Sequence, residues 1–170
     1  MEPLTENDIR TSLVNCSKGE ARRIRLPTGF AELDWDDLDF LGWIDPGAPL
    51  RAVIVTPGAD GSAGPVGIVL RVPATSSTSA VKSSLCSLCL TGHASSGVSL
   101  FVAPLAGPRG REGNSVGRYI CADLACSLYL RGKRQPAMRT RRYEETLGLE
   151  DQIARTLTHL DSFLAKVTAG

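Results

Sequence analysis

Aromatic rings are scarce in this chain, 5% of residues, and histidine occurs twice, as His93 and His159. A core short of rings must rest on Val, Leu, Ile and Ala. Neither histidine sits in a nucleophile or metalloprotease motif. The longest apolar run, near Val98 to Leu105, falls far short of the roughly 20 residues a membrane span requires. The opening MEPLTENDIR has neither a basic segment nor an apolar stretch, so it predicts a cytoplasmic protein without a secretory leader. GPRGREGN lacks the Lys-Ser/Thr of a phosphate-binding loop and the strand-to-helix setting of a dinucleotide fingerprint. No carboxylate pair stands out. These absences argue against an enzyme, a membrane protein and a small-molecule substrate.

What remains is an ordinary soluble composition, 42% apolar and 22% charged over 170 residues, enough for one domain or two small ones. Net charge is only +1 but unevenly spread. Residues 1–50 carry 5 basic and 10 acidic groups, residues 51–143 carry 12 and 3, and residues 144–170 carry 2 and 5. A basic middle between acidic ends points to a polyanion or an acidic protein surface as partner.

Periodicity supplies the elements. Thr5 and Asp8 resemble a capping box opening a helix over residues 3–15, and Ser17 caps a second that Pro27 stops. ELDWDDLDFLGWIDPG mixes acids with both tryptophans. It predicts an irregular segment whose rings pin it to the core, or else an acidic-aromatic docking site. RAVIVTP and VGIVLRVP read as a β-hairpin across PGADGSAGP, and PATSSTSAVKSS as a polar spacer. GVSLFVAPL and SVGRYICA read as two more strands, joined by the basic loop AGPRGREGN. A short helix in DLACSLYLRG ends at Gly132. After the basic connector RGKRQPAMRTRR comes an amphipathic helix with Ile153, Leu157, Leu160, Leu164 and Val167 on one stripe, packed on the body of a monomer rather than paired in a coiled coil. The expected fold is α+β, an antiparallel sheet with flanking helices. An N-terminal part would cover residues 1–78 and a zinc-finger domain residues 79–170.

Four of five cysteines form pairs. Cys86-Ser-Leu-Cys89 presents two thiolates from one tight turn, at about 2.3 Å from a zinc ion. Cys121 and Cys126 stand five apart, a spacing that on one continuous helix would turn the second side chain about 140° from the first. They converge if Cys121 ends a strand and a helix starts near Asp123 as N-cap, with Cys126 in its first turn. The 31 residues between the pairs hold a hairpin. Knuckle, hairpin, then helix is the order of a treble-clef zinc finger. In a reducing compartment this pattern favours one structural Zn2+ over four buried apolar cysteines, an iron–sulfur cluster or a redox dithiol. Four protein ligands leave no open position for catalysis. Cys16 reads as a core residue.

SLCSLCLTGH, GREGNSVGRYICADLACSLYLRG and IRTSLVNCSKGEARRIRLP resemble the actinobacterial FBP-domain proteins over roughly residues 3–167. More distantly, the zinc-finger half resembles elongation factor G-binding proteins of the FusB type, which confer fusidic acid resistance. The resemblance implies zinc on Cys86, Cys89, Cys121 and Cys126. It also implies a non-enzymatic protein that binds elongation factor G and promotes its release from the ribosome. The N-terminal half departs from the helical bundle of the FusB type. On this reading Arg109, Arg111, Arg118, Arg131, Lys133 and Arg134 form a positive face, with Tyr119 and Tyr129 as apolar contacts. The alternative is a ribosome- or RNA-binding module in which the same basic segment meets rRNA phosphates.

Overall fold

Thr5 and Asp8 set the first helix. The Thr5 hydroxyl accepts from the Asp8 N–H at 3.2 Å, and the Asp8 carboxylate accepts from the Thr5 N–H at 2.8 Å. This reciprocal box satisfies donors the first turn leaves free. Ser17 and Glu20 repeat it, so α1 (Glu6–Ser12) and α2 (Lys18–Arg23) both start at residues legible in the sequence. The computed structural model describes residues 1–58, 64–72, 85–94, 97–136 and 145–169. The centre of the hairpin loop at 59–63, the spacer at 73–84 and half of the basic connector, residues 137–142, lie outside that range.

Five antiparallel strands form one sheet in chain order: β1 (Leu41–Ile44), β2 (Arg51–Thr56), β3 (Val66–Arg71), β4 (Val98–Pro104) and β5 (Ser115–Cys121). The first three precede residue 78 and the last two follow it. Strand periodicity of two sorts β2 to both faces. Val53 and Val55 meet Leu41, Trp43, Ile9 and Ile24 on the side of α1 and α2. Ala52 and Ile54 meet Phe101, Ile120 and the long C-terminal helix on the other. That helix, α5 (Leu149–Thr168), buries Thr156, Leu160, Phe163, Leu164 and Val167. Phe163 joins the expected stripe, while Ile153 and Leu157 are only half-buried. Each fully buried Leu or Phe contributes about 1.5–3 kcal/mol of transfer free energy.

Where β3 meets β4, a side chain replaces part of the ladder. The register Arg71↔Val102 sets Val69 opposite Pro104, which has no N–H to donate. The Asn15 amide fills the gap. Its Oδ1 accepts from the Val69 N–H at 2.7 Å, and its Nδ2 donates to the carbonyls of Val69 and Pro104, both at 2.9 Å.

Three expectations need correction. The acidic-aromatic stretch is not irregular throughout. It makes 3-10 turns at Phe30–Glu32 and Trp35–Asp37 and then becomes β1, an outer strand of the sheet. The loop AGPRGREGN contains α3 (Gly107–Arg111), with Pro108 in its first turn. A Cβ on Gly110 would lie 1.7 Å from the Leu105 carbonyl oxygen, so this helix closes only with glycine there. The helix after Cys121 begins at Cys126, not Asp123. Asp123 instead accepts from the Ala125 N–H at 3.1 Å, holding the turn before α4 (Cys126–Leu130).

Candidate metal centre

Two turns of similar build present the sulfurs. In the first, the Leu90 N–H returns to the Cys86 carbonyl at 3.0 Å, and Leu90 is left-handed (φ 58°). In the second, the Leu124 N–H returns to the Cys121 carbonyl at 2.8 Å, and Leu124 is again left-handed (φ 58°). A branched side chain adopts that conformation at a cost and persists there only when its surroundings hold it. For Leu124 the surroundings include β1. A Cβ on Gly42 would lie 2.8 Å from the Leu124 Cβ, so glycine at 42 lets this turn seat against the sheet.

The turns bring Cys86, Cys89, Cys121 and Cys126 together, all buried, their Sγ atoms within 4.8 Å of one another. Cys86 and Cys126 stand 3.8 Å apart, and Cys89 and Cys121 3.6 Å. A regular tetrahedron with sulfur about 2.3 Å from its centre has edges of about 3.8 Å, so the cluster has the size of a four-thiolate zinc site. The donor chemistry fits as well, since soft thiolates in a closed set suit zinc. The four cysteines are positioned to bind one metal ion, which when bound supplies a cross-link between the knuckle and the start of α4.

Without a cation the four thiols cannot all ionise. The neighbouring thiols, foremost Cys121, hold Cys86 far below the ordinary thiol range. Cys126 is pushed well up, mainly by its neighbours Cys121 and Cys86, with burial adding to the effect. Against the downward pull of Cys126, Cys121 is likewise raised, by its neighbours Cys86 and Cys89 and by burial.

Outer partners fix the ligands. His93 is buried, with Nε2 3.2 Å from the Cys121 Sγ. Burial depresses its pKa, which keeps the ring neutral. Toward a thiolate, which only accepts, it donates its Nε2–H. Its ring meets Tyr129 edge-on at 4.7 Å, and the Tyr129 hydroxyl donates to Asp123 at 2.8 Å. His159 on α5 donates its Nδ1–H to the Leu88 carbonyl inside the knuckle, at 2.9 Å. The position of His93, four residues beyond Cys89, was the visible signal for this supporting role. Cys16 is not in the core: it is half-buried on the wall of a cavity of about 980 Å³ with Arg51, Arg71 and Arg111.

The basic residues divide into two groups. Arg131 grips Asp39 with both guanidinium nitrogens, at 2.6 and 2.8 Å. Lys133 pairs with Asp37, and Arg134 reaches Asp123 at 3.2 Å. The acidic-aromatic segment therefore lies along α4, where the Asp39 N–H also donates to Ser127 Oγ at 3.0 Å. Complementary charge runs, acids at 34–39 and bases at 131–134, were the signal for this contact. Arg109, Arg111 and Arg118 have no ion pair among the described residues. Tyr119 is 42% exposed, whereas Tyr129 packs at the edge of the core.

No curated protein matches this chain. Among solved structures it is similar to the fusidic acid resistance protein FusC, with a TM-score of 0.62 and 17% identity, covering 99% of this chain and 60% of that one. Identity this low shows a shared fold, and the present chain spans less than two thirds of the other's length. The profile of the FBP C-terminal treble-clef zinc-finger domain matches residues 8–167. With that match over almost the whole sequence and four buried sulfurs set for one ion, the chain belongs to the FBP C-terminal treble-clef zinc-finger family.

Proposed function

We propose that this protein is a non-enzymatic binding protein of the cytoplasm that engages elongation factor G and promotes its release from the ribosome. Cys86, Cys89, Cys121 and Cys126 hold a structural zinc ion, and residues 79–170 carry the docking domain. The observation that carries the reading is the fold shared with FusC over 99% of this chain, together with the family match. The closed donor set supports a structural rather than catalytic ion. Among the described residues no helix is long and apolar enough to cross a membrane.

The ion pairs reshape the face that meets the partner. Arg131 and Lys133 serve the clamp beside α4, and Arg134 and Tyr129 serve the metal turn through Asp123. Arg109, Arg111, Arg118 and Tyr119 remain for docking. If these three arginines met rRNA phosphates instead, log affinity would fall with log salt at a slope near −3, about 0.9 per contact. An interface with an apolar centre gives a shallower slope.

A pull-down from lysate with the tagged protein tests this, run with and without nuclease and with a zinc chelator. Recovery of elongation factor G after nuclease, lost on chelation, is the expected result. Recovery of ribosomes or RNA alone, abolished by nuclease, would replace this reading with the RNA-binding one.

A further inference from the structure

β5 is the last strand of the sheet, and among the described residues only Ser87 bonds to the backbone of its outer edge. The Leu105 N–H donates to the Asn114 carbonyl, which fixes the phase of the β4–β5 ladder. In an antiparallel pair, bonded and non-bonded residues alternate. Ser115, Gly117 and Tyr119 therefore turn their N–H and C=O groups away from β4. The Tyr119 carbonyl confirms the direction, since it accepts from Ser87 N–H at 2.8 Å and Ser87 Oγ at 2.6 Å. The other outward groups, both from Ser115, both from Gly117 and the Tyr119 N–H, have no partner among the described residues.

Edge strands of stable proteins are blunted by proline, bulges or inward charges, because unpaired backbone recruits another strand. β5 has no proline and no bulge, and the middle one of its three outward residues is an exposed glycine that leaves the backbone bare. The two faces flanking the edge differ. Tyr119 is exposed on one face, beside half-buried Leu100 and Val102. Arg118 projects on the other. α3, which carries Arg109 and Arg111, is tied to the Ser115 end by the Asn114 N–H donating to the Arg109 carbonyl at 3.1 Å, with Arg111 also lining the cavity of Cys16. Between residues 105 and 121 these three cations face one acid ahead of the cysteine turn, Glu112.

We infer that the β5 edge is a docking site for an extended acidic segment of a protein partner, added as a sixth strand. The charge chooses among occupants: a second copy of this chain would set the same cations against each other. The faces dictate the pattern of the incoming strand. Acidic side chains alternate with apolar ones, the acids toward Arg118 and the apolar groups toward Tyr119, Leu100 and Val102. This inference goes beyond the elongation factor reading and stands without it.

The test uses the whole zinc-loaded chain and a fluorescent peptide of alternating glutamate and valine, with a lysine–valine peptide as control. The glutamate peptide should bind at least about tenfold tighter, and its complex should slow hydrogen exchange at Gly117 and Tyr119. Gly117→Pro removes an outward N–H without touching the β4 ladder and should abolish binding. Arg118→Glu should remove the preference for the acidic peptide while retaining zinc. Equal binding of the two peptides, unchanged exchange at Gly117, or an Arg118→Glu protein that keeps the preference would overturn the proposal. Elongation factor G added in a parallel arm separates the two readings. Its capture without protection of β5 leaves the function standing and removes this site, and peptide binding without its capture does the reverse.

Discussion

Stripping the metal should lower the melting temperature by at least about 8 °C, between a floor set by chain entropy and a ceiling set by zinc binding. The cluster ties Cys86 and Cys89 to Cys121 and Cys126, closing a loop of 31 residues between the inner pair. On the chain-entropy model, a cross-link over a loop of that length is worth about 4 kcal/mol. Structural zinc in small fingers supplies about 10–16 kcal/mol, comparable to or larger than the total stability of most domains. For a chain of this size each kcal/mol moves the midpoint by about 2–4 °C, so the floor alone predicts about 8–16 °C.

The assay is thermal unfolding before and after chelation, with metal content measured on the same samples. Tryptophan fluorescence is an informative probe because Trp35 and Trp43 lie in the cluster under α1 and α2, on the face away from the sulfurs. Yet adjacent residues of β2 feed both clusters, so the two faces should melt together. Binding should also release protons: at least those of Cys121 and Cys126, held on by burial and by their neighbours, must leave as the ion enters. Metal affinity therefore falls as pH falls, and calorimetry in buffers of different ionisation enthalpy reads the released protons. A verified metal-free protein whose midpoint moves by less than about 3 °C would refute the reasoning.

Asn15→Ala removes three hydrogen bonds at the β3–β4 gap and should cost about 1–3 kcal/mol in denaturant unfolding. Asn15→Asp should cost more, because its carboxylate would face two carbonyls where the amide donated. Arg131→Ala leaves Asp39, 9% exposed, without its partner and should cost about 3 kcal/mol, with a double-mutant cycle showing strong coupling to Asp39. Asp8 and Glu20 accept cap hydrogen bonds from Thr5 and Ser17, which hold their carboxyls below the ordinary 3.8 and 4.5. The stability they add is whole above those values and is lost as pH falls through the lower folded ones. Asp8→Asn with Glu20→Gln should flatten that acid limb of the stability profile.

The four-cysteine cluster, the Thr5 capping box and the Ser17 cap were legible because each rests on local chemistry. Cys-x2-Cys and the two caps act within three residues, and branched runs announce β2 through β5. What sequence reading missed depends on distant neighbours. β1 hides among aspartates because those acids serve α4, ninety residues on, and not the strand's own pattern. α3 hides because two glycines in Gly-Pro-Arg-Gly-Arg speak against a helix, while the closeness of the Leu105 carbonyl demands one of them. His93 stands four residues beyond Cys89, but that its ring turns to Cys121 depends on a fold that a linear pattern does not contain.

The same distinction revises how charge acts in this molecule. Twelve cations in residues 51–143 suggest one broad basic surface. The folded chain spends Arg131, Lys133 and Arg134 on its own acids; the first two bind the N-terminal segment beside the helix that begins with Cys126, and Arg134 holds Asp123 in the turn before it. Glycine at 42 makes the same junction on the apolar side, against Leu124. The metal turns are thus held by two elements remote in sequence, β1 through packing and the 34–39 acids through ion pairs. Gly42→Val separates this support from the metal itself. The added side chain would force Leu124 from its turn, so the variant should bind zinc more weakly though every cysteine is intact. Unchanged affinity in a chelator competition would show that the second turn holds its shape without β1.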